Sequence, residues 1–445
     1  MVLDGRREHA AHSIRPATEP TIGTVIMTGR GFVTGGVSPL DISIRPVSKD
    51  DFGAFFNAAE RSFSHQGTEE EVELERPLFE PERSLVAFDG DEMVGTAGIF
   101  SLDLTVPGGS LHMAGVTAVG VNPTHRRRGI LTELMRRQLE HCRDHGDPLA
   151  GLWASESSIY GRFGYGLAAF TTEVEIERTR AAFREPVDAS RRLRMLDKER
   201  ALDMVTSVYD RVRLTRPGMF ARSAARWTNL LADPEVRRRG MSPLFFVVSE
   251  SSEGPDGYVI YRTKQSWDEG FPNGTLSVRE LQADAPEAYA ALWRYCLDVD
   301  LMTKIEAWPR PVDEPLHHLL AEPRRLVTRL WDSLWIRIVD VPMALAGRRY
   351  QTKGRLVVDV RDAFCPWNEG RYALDGGPDG ATCARSDDEA DLSVAADALG
   401  AVYLGGVRFG TLRQVGRVEE RSEGAVRRAD AMFGWDHQPW CPEIF

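Results

Sequence analysis

Between Val116 and Cys142 a β-favouring run, Val116-Thr117-Ala118-Val119-Gly120-Val121, stops at Asn122-Pro123. A basic turn follows, Arg126-Arg127-Arg128-Gly129, and then Ile130, Leu131, Leu134, Met135, Leu139 and Cys142 fall on one face at helical spacing. A strand that hands over to a helix N-terminus through a glycine turn points to an α/β chain. It also predicts a ligand. The first backbone N–H groups of a helix have no partner within it, and the helix dipole adds about half a positive charge there. With arginines beside them, and a glycine that lets a ligand come close to the backbone, these groups suit a diphosphate. A solvated basic loop is the plain alternative; the preceding strand and following helix argue against it.

Length and composition narrow the context. At roughly 100–200 residues per domain, 445 residues make two to four domains. No apolar run approaches the roughly 20 residues of a membrane span. The opening MVLDGRREHAAHSIRPATEP lacks the apolar core of a secretion signal. A cytoplasmic protein without a membrane partner is therefore expected. The net charge of −11 opposes nonspecific nucleic-acid binding and favours cationic ligands. Five scattered cysteines form no C-x-x-C pair, which predicts neither a disulfide framework nor a metal site. His141 and His145 share a helix face without a third ligand and read as solvated.

Residues 1–42 are rich in Gly, Pro, Ser and Thr and read as a flexible extension. A first unit, 43–185, opens with the strand Ile42–Arg45, a helix after Asp51, and hairpins at Asp89-Gly90 and Pro107-Gly108-Gly109. After the helix, Pro148–Ser155 is nearly all apolar and so is expected to be a strand buried on both faces. A second unit, 186–330, repeats the order: strands at 244–248, 258–262 and 276–281, a helix over 286–298, and a strand at 302–308. Its connecting loop, Gln282-Ala283-Asp284-Ala285-Pro286, is acidic and lacks Gly and Arg, so it is expected to hold no such diphosphate ligand. A third unit, 331–445, carries a strand at 355–360, a helix near 393–399, and a tail rich in Pro and Trp ending Pro442-Glu443-Ile444-Phe445.

The basic turn resembles the pyrophosphate loop of the GNAT (Gcn5-related N-acetyltransferase) superfamily, with Arg126, Gly129 and Leu131 at the specified positions. Leu131 departs from the small residue usual there. The blocks Ala118–Gly129 and Trp153-Ala154-Ser155-Glu156-Ser157-Ser158-Ile159-Tyr160-Gly161-Arg162-Phe163-Gly164-Tyr165-Gly166 are similar to those of the Eis (enhanced intracellular survival) family. The resemblance implies two GNAT-like mixed-sheet domains, the second degenerate, followed by a sterol-carrier-protein-like α/β domain. It implies a homohexamer, and an acetyl-coenzyme A-dependent enzyme that acetylates amines of aminoglycosides and other polyamines. The cofactor would lie on Val119, Gly120, Val121, Arg126, Arg127, Arg128, Gly129, Ile130, Leu131 and Thr132, with Ser155 and Glu156 across from them.

Amine acetylation needs a base for the ammonium proton, a donor for the oxyanion, and an acid for the leaving sulfur. The residues alone favour reading Tyr160 as a packed aromatic; the resemblance makes it the general acid, and it leaves Tyr165 structural. The resemblance also gives the base's role to the C-terminal carboxylate, here Phe445. Its ordinary pKa of about 3.3–3.7 is low for a base, so desolvation, a relaying water, or simple attraction of a cationic substrate are the alternatives. A frayed end is the usual fate of a terminus, but two tryptophans and a final Ile-Phe are costly to leave in water. Glu60, on the first helix, is a candidate contact to the cationic acceptor and equally a solvated side chain. Two other functions fit the same residues: a protein-lysine acetyltransferase, and an acyl-coenzyme A-binding or lipid-carrier scaffold without turnover.

Overall fold

A computed structural model describes residues 42–187 and 191–445; the expected N-terminal extension lies, but for Ile42, outside the described residues. The strands run, in chain order, β1 (Ile42–Pro46), β2 (Leu85–Asp89), β3 (Glu92–Val106), β4 (Gly109–Val121), β5 (Leu149–Trp153), β6 (Gly166–Leu167), β7 (Phe170–Glu177), β8 (Arg192–Leu196), β9 (Phe245–Ser251), β10 (Gly254–Lys264) and β11 (Trp267–Asp268). They continue with β12 (Phe271–Pro272), β13 (Gly274–Ala283), β14 (Met302–Arg310), β15 (Val327–Asp332) and β16 (Leu334–Ile338). The first sheet has the order β1-β2-β3-β4-β5-β16-β6 and the second β15-β7-β14-β13-β10-β9-β8, while β11 and β12 form a small separate hairpin. Each large sheet contains one parallel pair, β4/β5 or β13/β14.

The helices that matter for the site are α1 (Phe52–Ser62), α2 (Glu69–Glu75), α3 (Ile130–His145), α4 (Ser157–Tyr160), α5 (Lys198–Arg213), α6 (Ala224–Leu230), α7 (Glu235–Arg238) and α8 (Pro286–Asp298). Helices α3 and α8 bridge the two parallel pairs, so the repeated strand–helix–strand order takes the same form in both sheets. None of the described helices is long and apolar enough to cross a membrane.

Strand β5 is buried on both faces because its alternate residues serve two cores. Ala150 and Leu152 pack with Met135, Leu139 and Cys142 of α3, whereas Leu149 joins Met113 in a core shared with the C-terminal residues. That third part of the chain adds a five-stranded sheet and fills its interior with Tyr350, Tyr372, Tyr403, Phe409 and Phe433. Where a helix is expected over 393–399, Leu392–Ala395 forms a strand and the helix runs over Ala396–Val402. Leu392, Ser393 and Val394 are all buried between neighbouring strands, so pairing there prevails over helical spacing.

The sheets exchange strands. β7 leaves the first sheet to pair with β14 and β15 in the second. The chain returns at Ser333, and β16 pairs with β5 and β6 in the first sheet. Ser333 N donates to Ala169 O at 3.1 Å, and Ala168 N donates to Leu334 O at 3.0 Å, so both crossings share one seam.

Candidate active site

Strands β4 and β5 pair only over Met113–Gly115 and Leu149–Gly151, then diverge. Beyond that point β4 runs on to Val121 and β5 to Trp153. The edge of β4 facing β5 therefore carries backbone groups without a strand partner. The pairing of β3 with β4 shifts between Thr96 and Gly98, and Ala118 on β4 sits at φ 51° with its carbonyl accepting from Thr96 Oγ1 at 2.7 Å. This bulge re-aims the strand as it approaches α3. Gly120 is required here: a Cβ on it would lie 1.8 Å from Ser62 Oγ.

The turn after β4 brings the chain back at the mouth of the divergence. Arg127 at φ 64° and Gly129 at φ 83° give it two left-handed residues, and Gly129 caps α3 without any side-chain hydrogen bond to the helix. The leading N–H groups of α3 are thus free of side-chain partners, and nothing lies within 4 Å of where a Gly129 Cβ would be. That open, electropositive cradle fits the diphosphate of a coenzyme. The groove it heads encloses about 340 Å³ and is lined by Val119, Gly120, Val121, Arg126, Arg127 and Gly129 on one side. Ile130, Leu131, Thr132, Ser155, Glu156 and Tyr160 continue it. Arg128 falls outside the lining, because the left-handed Arg127 turns the chain there. Arg126 is on the groove, yet its guanidinium donates to Val121 O (3.3 Å) and to Ser62 O (3.0 Å) at the end of α1. It holds the turn against α1, which leaves Arg127 as the freer cation.

Tyr160 closes α4, directly after the diverging strand. Its ring is buried, 6% exposed, against Tyr165 at 6.0 Å between centroids. Burial, with a smaller push from Glu156, raises its hydroxyl to about 12, so the group is a proton-bearing donor at any ordinary pH. Tyr165 is fully buried and lines neither cavity at this junction.

Past Tyr160 the groove opens into a second cavity of about 610 Å³, and Phe63, Val119, Ser155 and Tyr160 line both. Helices α1 and α2 form much of its wall. A capping box sets α2 in place: Thr68 Oγ1 accepts from Glu71 N at 3.2 Å while Glu71 Oε2 accepts from Thr68 N at 2.9 Å. Glu60, on α1, lines this cavity and meets His65 Nδ1 at 2.5 Å. The far wall is the C-terminal segment, whose Glu443, Ile444 and Phe445 reach the lining.

That segment is held by the middle of the chain. Trp440 is buried and its N donates to Pro217 O at 2.9 Å; Arg216 donates to Gln438 O at 2.8 Å. Glu443 receives Arg222 on one oxygen (2.8 Å) and Arg226 on the other (2.7 Å). Arg222 also grips Glu280 with two bonds (3.0 and 2.7 Å) and stacks on Tyr209 at 3.9 Å. Phe445 packs edge-on against Phe220 at 5.6 Å. The clamp of Arg222, Arg226, Glu280 and Glu443 was invisible to motif reading. Its one local signal is the pair of arginines four apart, set on and just before α6.

The second sheet's corresponding divergence, past Val278 and Ala307, is filled from within. Arg310 donates to Leu281 O (2.9 Å) and to Glu314 (2.6 Å), and Asp284 in the connecting loop is paired with Arg211 (2.6 Å). His145, considered as a ligand, instead meets Asp147 at 3.2 Å.

Comparison with known proteins agrees with this geometry. Two family models, each described as an acetyltransferase (GNAT) domain, match residues 43–168 and 218–338, and one described as a sterol carrier protein domain matches 341–442. An uncharacterized N-acetyltransferase of Streptomyces avermitilis is 45% identical over 407 residues, 90% of this chain and 99% of its own. N-acetyltransferase Eis of Mycobacterium tuberculosis is 33% identical over 411 residues, 89% and 98% of the two chains. The crystal structure of Eis1 from Mycobacterium abscessus aligns with a TM-score of 0.78 at 36% identity, covering 91% of this chain and all (100%) of its own. A GCN5-related N-acetyltransferase from Anabaena variabilis shares the fold, with a TM-score of 0.79 at 21% identity.

Proposed function

The chain belongs to the Eis family of GNAT N-acetyltransferases, and we propose that it moves the acetyl group of acetyl-coenzyme A onto a primary amine of a cationic small molecule, of the aminoglycoside or polyamine type. One observation supports this most: a groove suited to a diphosphate carrier and a second cavity share a wall that includes the buried Tyr160. Acetyl-coenzyme A supplies the thioester. The chain's residues do the rest. The N–H groups opening α3, with Arg127, bind the diphosphate, and Arg126 fixes the turn. The free backbone edge of β4 near Val119 orients the thioester carbonyl and offers an N–H to its oxygen as charge develops.

The incoming amine must shed a proton before it forms the bond to the acetyl carbon and the carbon–sulfur bond breaks. The carboxylate of Phe445, held in the cavity wall, takes that proton directly or through water. Tyr160 donates to the departing sulfur; its high pKa suits a hydrogen bond that stabilises thiolate more than outright transfer. Glu60 draws the cationic acceptor. The central unit, 186–330, binds no coenzyme in this reading; it is a scaffold between a catalytic unit, 43–185, and a C-terminal unit, 331–445. The assembly is a homohexamer.

Thiol release from acetyl-coenzyme A, with a panel of amines and a lysine peptide, tests the reaction. Amine-dependent release is expected, and coenzyme binding without release would favour a scaffold. Adding several residues after Phe445 is expected to lower turnover at least tenfold; full activity would remove its carboxylate from the mechanism.

A further inference from the structure

We infer that the chain has a second ligand site, for an apolar monocarboxylate, in a cavity between the second sheet and the C-terminal segment, and that its occupant braces that segment. The cavity encloses about 340 Å³. It lies where the pairing of β13 with β14 ends, at Val278 and Ala307. The register of β13 against β10 shifts at the same place. Tyr261 faces Val278 and Ile260 faces Glu280, so Arg279 between them has no strand partner. A bulge of this kind re-aims a side chain. Arg310 is buried over Trp293 and fills the divergence from the core side, whereas Arg279 is exposed. Arg279 lines the cavity together with half-buried Trp308, and Pro442, Glu443 and Ile444 line it as well. Glu443 and Ile444 also line the acceptor cavity, so the segment that ends in Phe445 serves both.

The charges of the lining leave one cation over. Six charged side chains reach the cavity: Glu75, Glu280, Glu443, Arg237, Arg262 and Arg279. Glu75 pairs with Arg237 at 2.9 Å, and Arg262 pairs with Asp233 at 2.7 Å. Glu280 is held by Arg222, and Glu443 by Arg222 and Arg226. Arg279 alone of the six has neither a side-chain hydrogen bond nor an ion pair among the described residues. Glu173 and Glu306 join it in a neighbouring cavity, but they pair with Arg329 at 3.6 Å and Lys304 at 3.3 Å. Desolvation first, then the like charges of Arg262 and Arg239, lower the pKa of Arg279. An anion relieves the charge crowding. One free guanidinium fork matches one carboxylate through two parallel bonds. A phosphate dianion would bring more charge and more oxygens than this fork can satisfy. Leu230, Leu244, Ile260 and Trp308 offer the apolar surface that buries the rest of the ligand. A ligand resting on Pro442 and Ile444 favours the docked segment, and by linkage the docked segment favours the ligand.

The test needs no acetyl transfer and so stands apart from the reaction proposed above. Calorimetry on the full chain is carried out with phenylacetate and with inorganic phosphate. Phenylacetate is expected to bind saturably, one per chain, and at least tenfold more tightly than phosphate. Arg279→Gln removes a cation that no described residue needs, so the variant is expected to melt at no lower temperature and to bind phenylacetate at least tenfold more weakly. At saturating phenylacetate the Trp440 amide, whose hydrogen bond to Pro217 O holds the segment, is expected to exchange at least threefold more slowly in the parent chain and at an unchanged rate in Arg279→Gln. Absence of saturable binding in the parent chain, or binding that survives Arg279→Gln, would overturn the site. Phosphate binding as tightly as phenylacetate would overturn the carboxylate assignment. Binding with no slowing at Trp440 would overturn the bracing.

Discussion

Glu443→Gln tests whether the buried clamp sets the position of the chain's last residues. In the native arrangement Glu443, 7% exposed, accepts one charged bond from each of two arginines, at 2.8 and 2.7 Å. The amide keeps the shape and one acceptor oxygen but loses the charge. Arg222 is not orphaned, since Glu280 still holds it with two bonds. Arg226, whose side chain is equally enclosed, loses its carboxylate partner. Breaking a buried ion pair from one side costs about 3–5 kcal/mol. The surviving Glu280 contact and the remaining amide oxygen place this case near the lower end, at about 3 kcal/mol. The tail has no regular secondary structure, so the loss falls on its docking before it reaches the sheets. At about 1.4 kcal/mol per tenfold, docking weakens about a hundredfold. The Trp440 amide, bonded to Pro217 O, reports this directly: its hydrogen exchange is expected to quicken by about that factor. Amides in β4 should keep their rates, and turnover should fall. A double-mutant cycle with Arg226→Gln is expected to return a coupling of at least 1.5 kcal/mol, about that of a close buried pair. An unchanged Trp440 exchange rate, or a coupling below about 0.5 kcal/mol, would refute the clamp.

Other consequences concern the groove. Tyr160→Phe is expected to lower kcat about a hundredfold with little change in the dissociation constant for acetyl-coenzyme A, the range for losing one positioned acid or donor; stopped thiol-release assays and calorimetry separate the two. Because burial holds this hydroxyl protonated to about 12, any alkaline fall in kcat below pH 11 belongs to another group and persists in the variant. The linked stability has a definite sign: the unfolded chain releases this proton near pH 10 while the folded chain keeps it, so stability falls as pH rises from about 10 to 12. Urea titrations at pH 9 and 11 should show a smaller fall in Tyr160→Phe than in the parent. Gly120→Ala places a methyl 1.8 Å from Ser62 Oγ and 2.6 Å from its Cβ, forcing β4 away from α1. A loss of about 1–3 kcal/mol and at least tenfold weaker acetyl-coenzyme A binding are expected. Gly161→Ala, where no atom lies within 4 Å of the new methyl, should change stability by less than about 0.5 kcal/mol in the same melts.

What could be read from the sequence was what is local in the chain. The Val116–Cys142 stretch announced its strand, turn and helix because periodicity and a glycine act over a few residues, and the groove forms there. The triple arginine was legible as charge but not as partner choice. Arg126 turns to Ser62 O, 64 positions away, because the end of α1 needs donors for its last carbonyls. The strand exchange was hidden for the same reason. The alternation in Phe170–Glu177 and the apolar Leu334–Ile338 mark strands, but not which sheet receives them. Units cut at 185 and 330 look separable in sequence, yet β7 ties the first unit to the second and β16 ties the third to the first. That interlock bears on the site. β16 covers the outer edge of β5 from Leu149 to Trp153, through the divergence, and the middle of the chain grips Glu443 on the opposite wall. The central unit therefore has a physical task that needs no ligand of its own. Its divergence is plugged by Arg310, while its Arg222 and Glu280 hold one wall of the acceptor cavity in place.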